Sequence, residues 1–201
     1  MEAPPTPMAC HSCGVTHGSL YRCSECFSRN IFCQSCCVDM HAYHPFHIID
    51  IWTGTHFSRT TLYDLGYVLH LGHGGDRCPS AGDWDEEPMA GKPPPDADIT
   101  DHSKDDDVVI VSMNGVHKHR IRWCACRHCP KPYMQLFHMG LYPASMSNPG
   151  TAFTFQMLQY FHTDAMECRT SASNYFNKLR RLTNKSFPDT VPVSTTIYLL
   201  H

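Results

Sequence analysis

Between Cys10 and His47 the chain carries CHSC, CSEC and CQSCC, followed by His41, His44 and His47. Two thiolates at C-x2-C spacing sit on one turn and can grip one tetrahedral ion. Three such hooks and a histidine trio therefore supply the donors of two zinc sites. Pairs arriving in this order interleave: Cys10 and Cys13 share an ion with Cys33 and Cys36, and Cys23 and Cys26 share one with two of the histidines. Such a cross-brace stands in for a core that ~40 residues cannot build, because a structural zinc ion supplies roughly 10–16 kcal/mol of apparent free energy. Cys37 follows a Cys36 that already completes its hook, and reads as a small buried hydrophobe.

A second constellation lies further on. Cys124 and Cys126 are two apart, so on an extended chain both thiols point the same way and can hold one ion. Cys78 and one of His73, Cys129 or His117 would complete a third site. His73 and Cys78 stand in HGGDRC, where glycines let the backbone wrap closely. His117 ranks last, because strand parity turns it away from Cys124.

The elements that must position these donors can be read around them. YVLHL is a short strand in which His70 is structural, and Thr60 or Thr61 is placed to cap a short helix over Leu62, Tyr63 and Leu65 that Gly66 ends. VVIVSMNGVHKHRIRW is two strands joined at Asn114-Gly115, a hairpin signal. If YVLHL pairs antiparallel with VVIV, it runs in the direction of VHKHRIRW and delivers His73 and Cys78 to the sheet edge where Cys124 emerges. TAFTFQMLQYFH places Phe153, Met157, Leu158 and Phe161 on one helix side, and SASNYFNKLRRL does the same for Ala172, Tyr175, Phe176, Leu179 and Leu182. Cys168, between these helices, is expected to be a buried thiol. The fold class expected is a small zinc-stabilised α+β protein: an N-terminal cross-brace finger, then a short antiparallel sheet and C-terminal helices.

These elements divide the chain into a Pro-rich leader at 1–9, the finger at 10–50, a connector at 51–78, an acidic Pro-rich linker at 79–107, a cysteine-cluster region at 108–185 and a tail at 186–201. The formal charge of −3 is unevenly spread. Ten acids against Lys92 and Lys104 give the linker −8 and leave +5 elsewhere, which zinc ions held by four thiolates each reduce by two. Lys118, Arg120 and Arg122 form one face of the second hairpin strand, and Lys178, Arg180 and Arg181 lie on the last helix. They are the candidate contacts to nucleic-acid phosphate. No apolar run approaches the roughly 18 residues of a membrane span, and MEAPPTPMAC lacks the features of a secretory signal. A reducing location, nuclear or cytoplasmic, is expected, and there dense cysteine reads as metal binding.

YRCSECFSRNIFCQSCCVDMHAYHPFHIIDIW resembles ZZ and B-box zinc fingers in its order of CxxC, CxxC and closing histidines. That likeness implies a module for peptides or assembly. Over a longer span, GVHKHRIRWCACRHC, MQLFHMGLYPASMSNPGTAFTFQMLQYFH and SASNYFNKLRRLTN strongly resemble the cysteine cluster of the second CxC type associated with KDZ (Kyakuja-Dileera-Zisupton) transposases. The upstream CxxCC, HPFHIIDIW and LGHGGDRCP segments fit the same pattern, so the resemblance covers about residues 10 to 185. It implies Cys124 and Cys126 as the CxC pair and favours His41 and His47 over His44. In that family the cluster precedes an RNase-H-like transposase domain, of which no catalytic residue carries over. Acidic residues cluster in the linker rather than on a scaffold, and neither a P-loop nor a nucleophile elbow occurs. The expected function is a noncatalytic zinc protein contacting DNA or a protein partner, with no membrane and no small-molecule substrate. The alternative is a ZZ-like peptide reader unrelated to DNA.

Overall fold

A computed structural model describes residues 6–80 and 106–191. The greater part of the expected linker, and parts of the leader and tail, lie outside the described residues. The chain divides into two units, Met1–Tyr67 with His117–His119, and Val68–Val116 with Arg120–His201.

In the first unit, alternating side chains set up strands β1 (Tyr21–Cys23), β2 (Ile49–Trp52) and β3 (Phe57–Thr60), paired antiparallel in that order. Period-two alternation buries Ile49 and pairs Asp50 with Arg22 directly opposite, Nε to Oδ2 3.3 Å. The Arg22 guanidinium also lies 3.7 Å over the Phe57 ring, and such cross-strand pairs contribute about 0.2–1 kcal/mol each. Helix α1 (Gln34–Met40) has seven residues, too short to persist by propensity alone. Its buried face is Cys37, packed within a core that also holds Leu20, Tyr21, Phe32, Ile49, Leu62 and Leu65.

The helix expected after Thr60 is a turn. Thr61 and Asp64 cap each other: the Thr61 hydroxyl donates to the Asp64 carboxylate at 2.7 Å and accepts from the Asp64 N–H at 3.1 Å. Gly66 at φ 81 then stops the chain before a second helical turn can form. The cap chemistry is present, but the segment is too short to propagate.

The second unit is a five-stranded sheet, β4 (Val68–His70), β5 (Asp106–Ser112), β6 (Gly115–Arg122), β7 (Leu141–Pro143) and β8 (Thr151–Thr154), in the order β4-β6-β5-β8-β7. It is mixed: β7 and β8 are antiparallel, whereas β4 with β6 and β5 with β8 are parallel. The expected partnership of YVLHL with VVIV is therefore corrected. β4 pairs directly with β6, Val68 opposite Arg120, and runs in the direction foreseen for it. β5 and β6 are bonded neighbours whose connecting turn is Met113 and Asn114, one residue earlier than Asn-Gly predicts. Gly115 instead opens β6 at φ 150, where a Cβ would meet Thr183 Oγ1 at 2.7 Å. That hydroxyl accepts the Val116 N–H at the same distance.

Helices α2 (Pro132–His138), α3 (Phe155–Cys168) and α4 (Ala172–Thr183) complete this unit. The hydroxyls of Thr154 and Ser171 accept from Met157 N–H and Asn174 N–H and begin the last two helices. TAFT, expected within a helix, is strand β8, buried throughout between β5 and β7. Phe153 nevertheless joins Met157, Tyr175, Phe176, Leu179, Val111 and Val116 in one core. Leu182 is 46% exposed and Cys168 is also exposed, against expectation. Cys168 ends α3 beside a left-handed Arg169, where the chain has already turned away from the core.

Candidate metal centres

Three clusters of four Cys and His donors form among the described residues: Cys10, Cys13, Cys33 and Cys36; Cys23, Cys26, His41 and His47; and His73, Cys78, Cys124 and Cys126. Within each, one donor atom per residue lies within 4.8 Å of the others. A tetrahedral zinc ion with Zn–S near 2.3 Å and Zn–N near 2.0 Å spaces sulfurs about 3.8 Å apart, and sulfur from nitrogen about 3.5 Å. The donor sets can be compared with that geometry.

In the first cluster, Cys13 Sγ and Cys33 Sγ are 3.7 Å apart. Cys10 and Cys13 are held on a turn in which Gly14, at φ 73, returns its N–H to the Cys10 carbonyl at 2.8 Å. Cys33 is the N-cap of α1, so Cys36 lies one turn into the helix. Burial pushes the Cys10 thiol up, but the N–H groups of Cys13, Cys33 and Ser12 aimed at its sulfur outweigh burial and bring it to about 6. Cys36 moves the other way, to about 12, chiefly through its hydrogen bond with Cys33. One thiolate and one held proton within a set of four sulfurs describe a site whose loading expels protons.

The second cluster is drawn from both ends of its unit's secondary structure. Cys23 ends β1, Cys26 follows on the next turn, and His41 is the C-cap of α1. His47 Nδ1 is 3.4 Å from both Cys23 Sγ and Cys26 Sγ, and His41 Nε2 is 3.6 Å from Cys26 Sγ. His41 is buried, and its Nδ1 donates to the Cys37 carbonyl at 2.7 Å, which leaves Nε2 as the ligating atom. Burial opposes charge on His41, yet hydrogen bonding to Cys23 and to Cys37 raises it to about 11. His47, in the same cluster, moves the other way, lowered chiefly by burial. Cys23 Sγ also accepts the Cys26 N–H at 3.2 Å, and Glu25 ties the loop to the Ile48 N–H at 2.7 Å. His44 stacks on the His47 ring at 4.7 Å and stands outside the cluster, while Cys37 is fully buried.

The third cluster follows from parallel β4–β6 pairing. Both strands end on the same side, so β4 leads into Gly72-His73 as β6 leads into Cys124. Cys78 Sγ lies 3.8 Å from Cys124 Sγ and 3.6 Å from Cys126 Sγ, and His73 Nε2 lies 3.3 and 3.4 Å from the latter two. Gly72, at φ 92, makes room: a Cβ there would be 2.9 Å from Cys124 Cβ. His73 itself sits at φ 47, left-handed backbone that few non-glycine residues adopt. Of the three candidate fourth donors the structure brings in His73, and neither Cys129 nor His117 joins the cluster. Burial raises Cys124 to about 12 and also pushes Cys78 up, but the N–H groups of Ala125 and Ser80 bring Cys78 to about 6.

Gln135 is a supporting residue that sequence reasoning missed. It is buried on α2; its Oε1 accepts the Cys124 N–H at 2.8 Å, and its Nε2 donates to the carbonyls of Cys124 at 3.2 Å and Pro130 at 2.9 Å. The amide clamps both limbs of the CxC loop. No spacing pattern in the sequence marks it out.

The candidate phosphate contacts separate into two groups. On α4, Lys178 Nζ is 3.0 Å from Asp164 Oδ2 and Arg180 bonds Asp189 at 2.8 Å, while Arg181 is exposed. On β6, Lys118 is exposed with its ammonium 4.4 Å over the Tyr63 ring, and Arg120 and Arg122 are half-buried. Among the described residues no helix is long and apolar enough to cross a membrane.

Fold and site together define a small α+β protein with Cys/His clusters suited to metal. Residues 93–186 match the model of the CxC2 like cysteine cluster associated with KDZ transposases. The matched stretch is similar to such a cluster; it includes Cys124 and Cys126 but not His73, Cys78 or the first two sets. No curated protein and no solved structure matches the chain.

Proposed function

We propose that the chain is a noncatalytic module organised by three zinc ions, two of them in a cross-brace finger, and that it acts by contacting DNA. The observation that carries the zinc reading is the donor geometry: in each cluster four donor atoms lie within 4.8 Å of one another, and pairs such as Cys13–Cys33 at 3.7 Å and Cys78–Cys124 at 3.8 Å match the sulfur spacing around tetrahedral zinc. Four protein ligands leave no position for water or substrate, which is the coordination of structural zinc rather than catalytic zinc. Alternation of the first two sets along the chain, with Cys10/Cys13 and Cys33/Cys36 straddling Cys23/Cys26, is the cross-brace order. Mass-spectrometric metal analysis of the purified chain tests this: near three zinc ions supports it, near two removes the CxC site, and none defeats it.

DNA contact is supported by the association of the matched stretch with transposases and by Lys118, Arg120 and Arg122 on β6. Anisotropy with DNA across a salt series is the test, and absence of salt-sensitive binding sinks it.

A second reading has its own observation. The finger carries an open groove of about 610 Å³, lined by Val15, His17, Val38, Asp39 and Leu65 among others. A groove that sets the Asp39 carboxylate among Val15, Val38 and Leu65 suits a peptide bearing a cationic residue, as a ZZ-like reader would require. Binding of basic peptides that Asp39→Asn abolishes, with no DNA affinity, would favour it.

A further inference from the structure

Four aromatic rings cluster at the surface of the second unit. Phe137 lies 5.4 Å from Tyr142, 6.2 Å from Phe155 and 6.5 Å from Tyr133, and Tyr142 lies 6.4 Å from Phe155. Phe137 and Phe155 are near-parallel, with 22° between their planes. Tyr142 is 38% and Phe155 45% exposed, and Met134 borders them on α2 at 36%. They are not part of the buried cluster around Phe153, Met157 and Leu179. Linked exposed rings on a small unit mark a contact surface.

Charge identifies what that surface suits. From Asp107 to Asp164 the chain has no acidic residue between those two, yet it carries Lys118, Arg120, Arg122, Arg127 and Lys131. Lys131 is the N-cap of the helix that bears Tyr133 and Phe137; Arg127 lies in the CxC loop just before it, and both are exposed. Rings on α2 and its neighbours, with exposed cations at and just before the start of that helix, match the stacked bases and phosphates of a single strand. A peptide added to the sheet here is disfavoured, because β7 is a three-residue edge strand whose Pro143 has no N–H to donate.

We propose that Tyr133, Phe137, Tyr142 and Phe155 form a stacking platform for unpaired bases of single-stranded DNA, with Arg127 and Lys131 meeting the adjoining phosphates. This rests on the DNA-contact reading above and narrows it to an unpaired strand at a stated surface. The test uses the full, zinc-loaded chain and measures anisotropy of a labelled oligothymidine and of a duplex of equal length. In Tyr142→Ala and Phe155→Ala, oligothymidine affinity should fall roughly 5- to 100-fold per ring, as base stacking on an aromatic side chain predicts. Duplex affinity should hold, and Phe155→Trp should retain the wild-type value. Arg127→Ala with Lys131→Ala should flatten the salt dependence of oligothymidine binding. Zinc content and thermal midpoint matching the wild type establish that each variant is folded. Oligothymidine binding indifferent to the ring variants, or duplex binding without oligothymidine binding, overturns the platform and leaves DNA contact standing. Binding to neither overturns both and leaves the rings to a protein partner.

Discussion

Replacing Gln135 by Met keeps the length of the side chain and removes its hydrogen bonding. Three groups lose their partner at once: the Cys124 N–H, the Cys124 carbonyl and the Pro130 carbonyl. Because Gln135 is 3% exposed, water cannot replace the amide without opening the loop. Leaving a buried donor or acceptor unpaired costs about 1–3 kcal/mol each, so the loop either bears roughly 3 kcal/mol or more of strain or swings out to be solvated. In the second case Cys124 and Cys126 leave their places against His73 and Cys78. Loss of a group that orients a ligand typically lowers metal affinity 10- to 100-fold. The expected result is one weakened zinc ion per chain and two unchanged, read by stepwise competition with a chromogenic chelator. Thermal unfolding should fall in parallel. If all three ions leave with wild-type affinities, Gln135 does not hold the CxC loop, and the account of the third site is wrong.

Other expectations follow from the same geometry. His41→Asn should cost the second cluster its ion, whereas His44→Asn and Cys37→Ala should retain three; loss of an ion from either of the latter, by metal analysis, contradicts the ligand assignment. Gly72→Ala must place a Cβ at φ 92 against Cys124 Cβ, a left-handed strain of about 1–2 kcal/mol that should lower stability and weaken the third ion selectively. His119 gives a pH dependence: burial lowers its pKa to about 4, and neither ring nitrogen has a hydrogen-bond partner among the described residues. The unfolded chain takes up a proton near pH 6.5 while the folded one does not, so stability should be full above about 6.5 and fall as pH drops towards 4. His119→Phe should flatten that decline relative to wild type in urea midpoints taken across the window; an unchanged slope would refute it.

Much of the candidate metal chemistry is local and could be read without a fold. A C-x2-C pair lies on one turn and a CxC pair on one extended face, so Cys10/Cys13, Cys23/Cys26, Cys33/Cys36 and Cys124/Cys126 each declare a shared role through spacing alone. The apolar stripe of α4 up to Leu179 is equally local. Which pairs meet is a different matter. Whether His73, Cys129 or His117 stands by the CxC thiols depends on which strand β4 joins, and parallel and antiparallel partners bury the same apolar residues. For that reason the strand pattern points β4 to β5 whereas the fold pairs it with β6, and in both arrangements its direction, and so the delivery of His73 and Cys78, is the same. TAFT carries a hydrophobic run that suits a strand or a helix, and only the slot between β5 and β7 decides it. Gln135 and the ring cluster at Phe137 had no sequence period to reveal them. The first matters because its amide reaches back to Cys124, and the second because Tyr142 and Phe155 approach from other elements. Spacing along the chain thus determined which side chains could share an ion, and tertiary pairing decided which donors complete each set and what surrounds them.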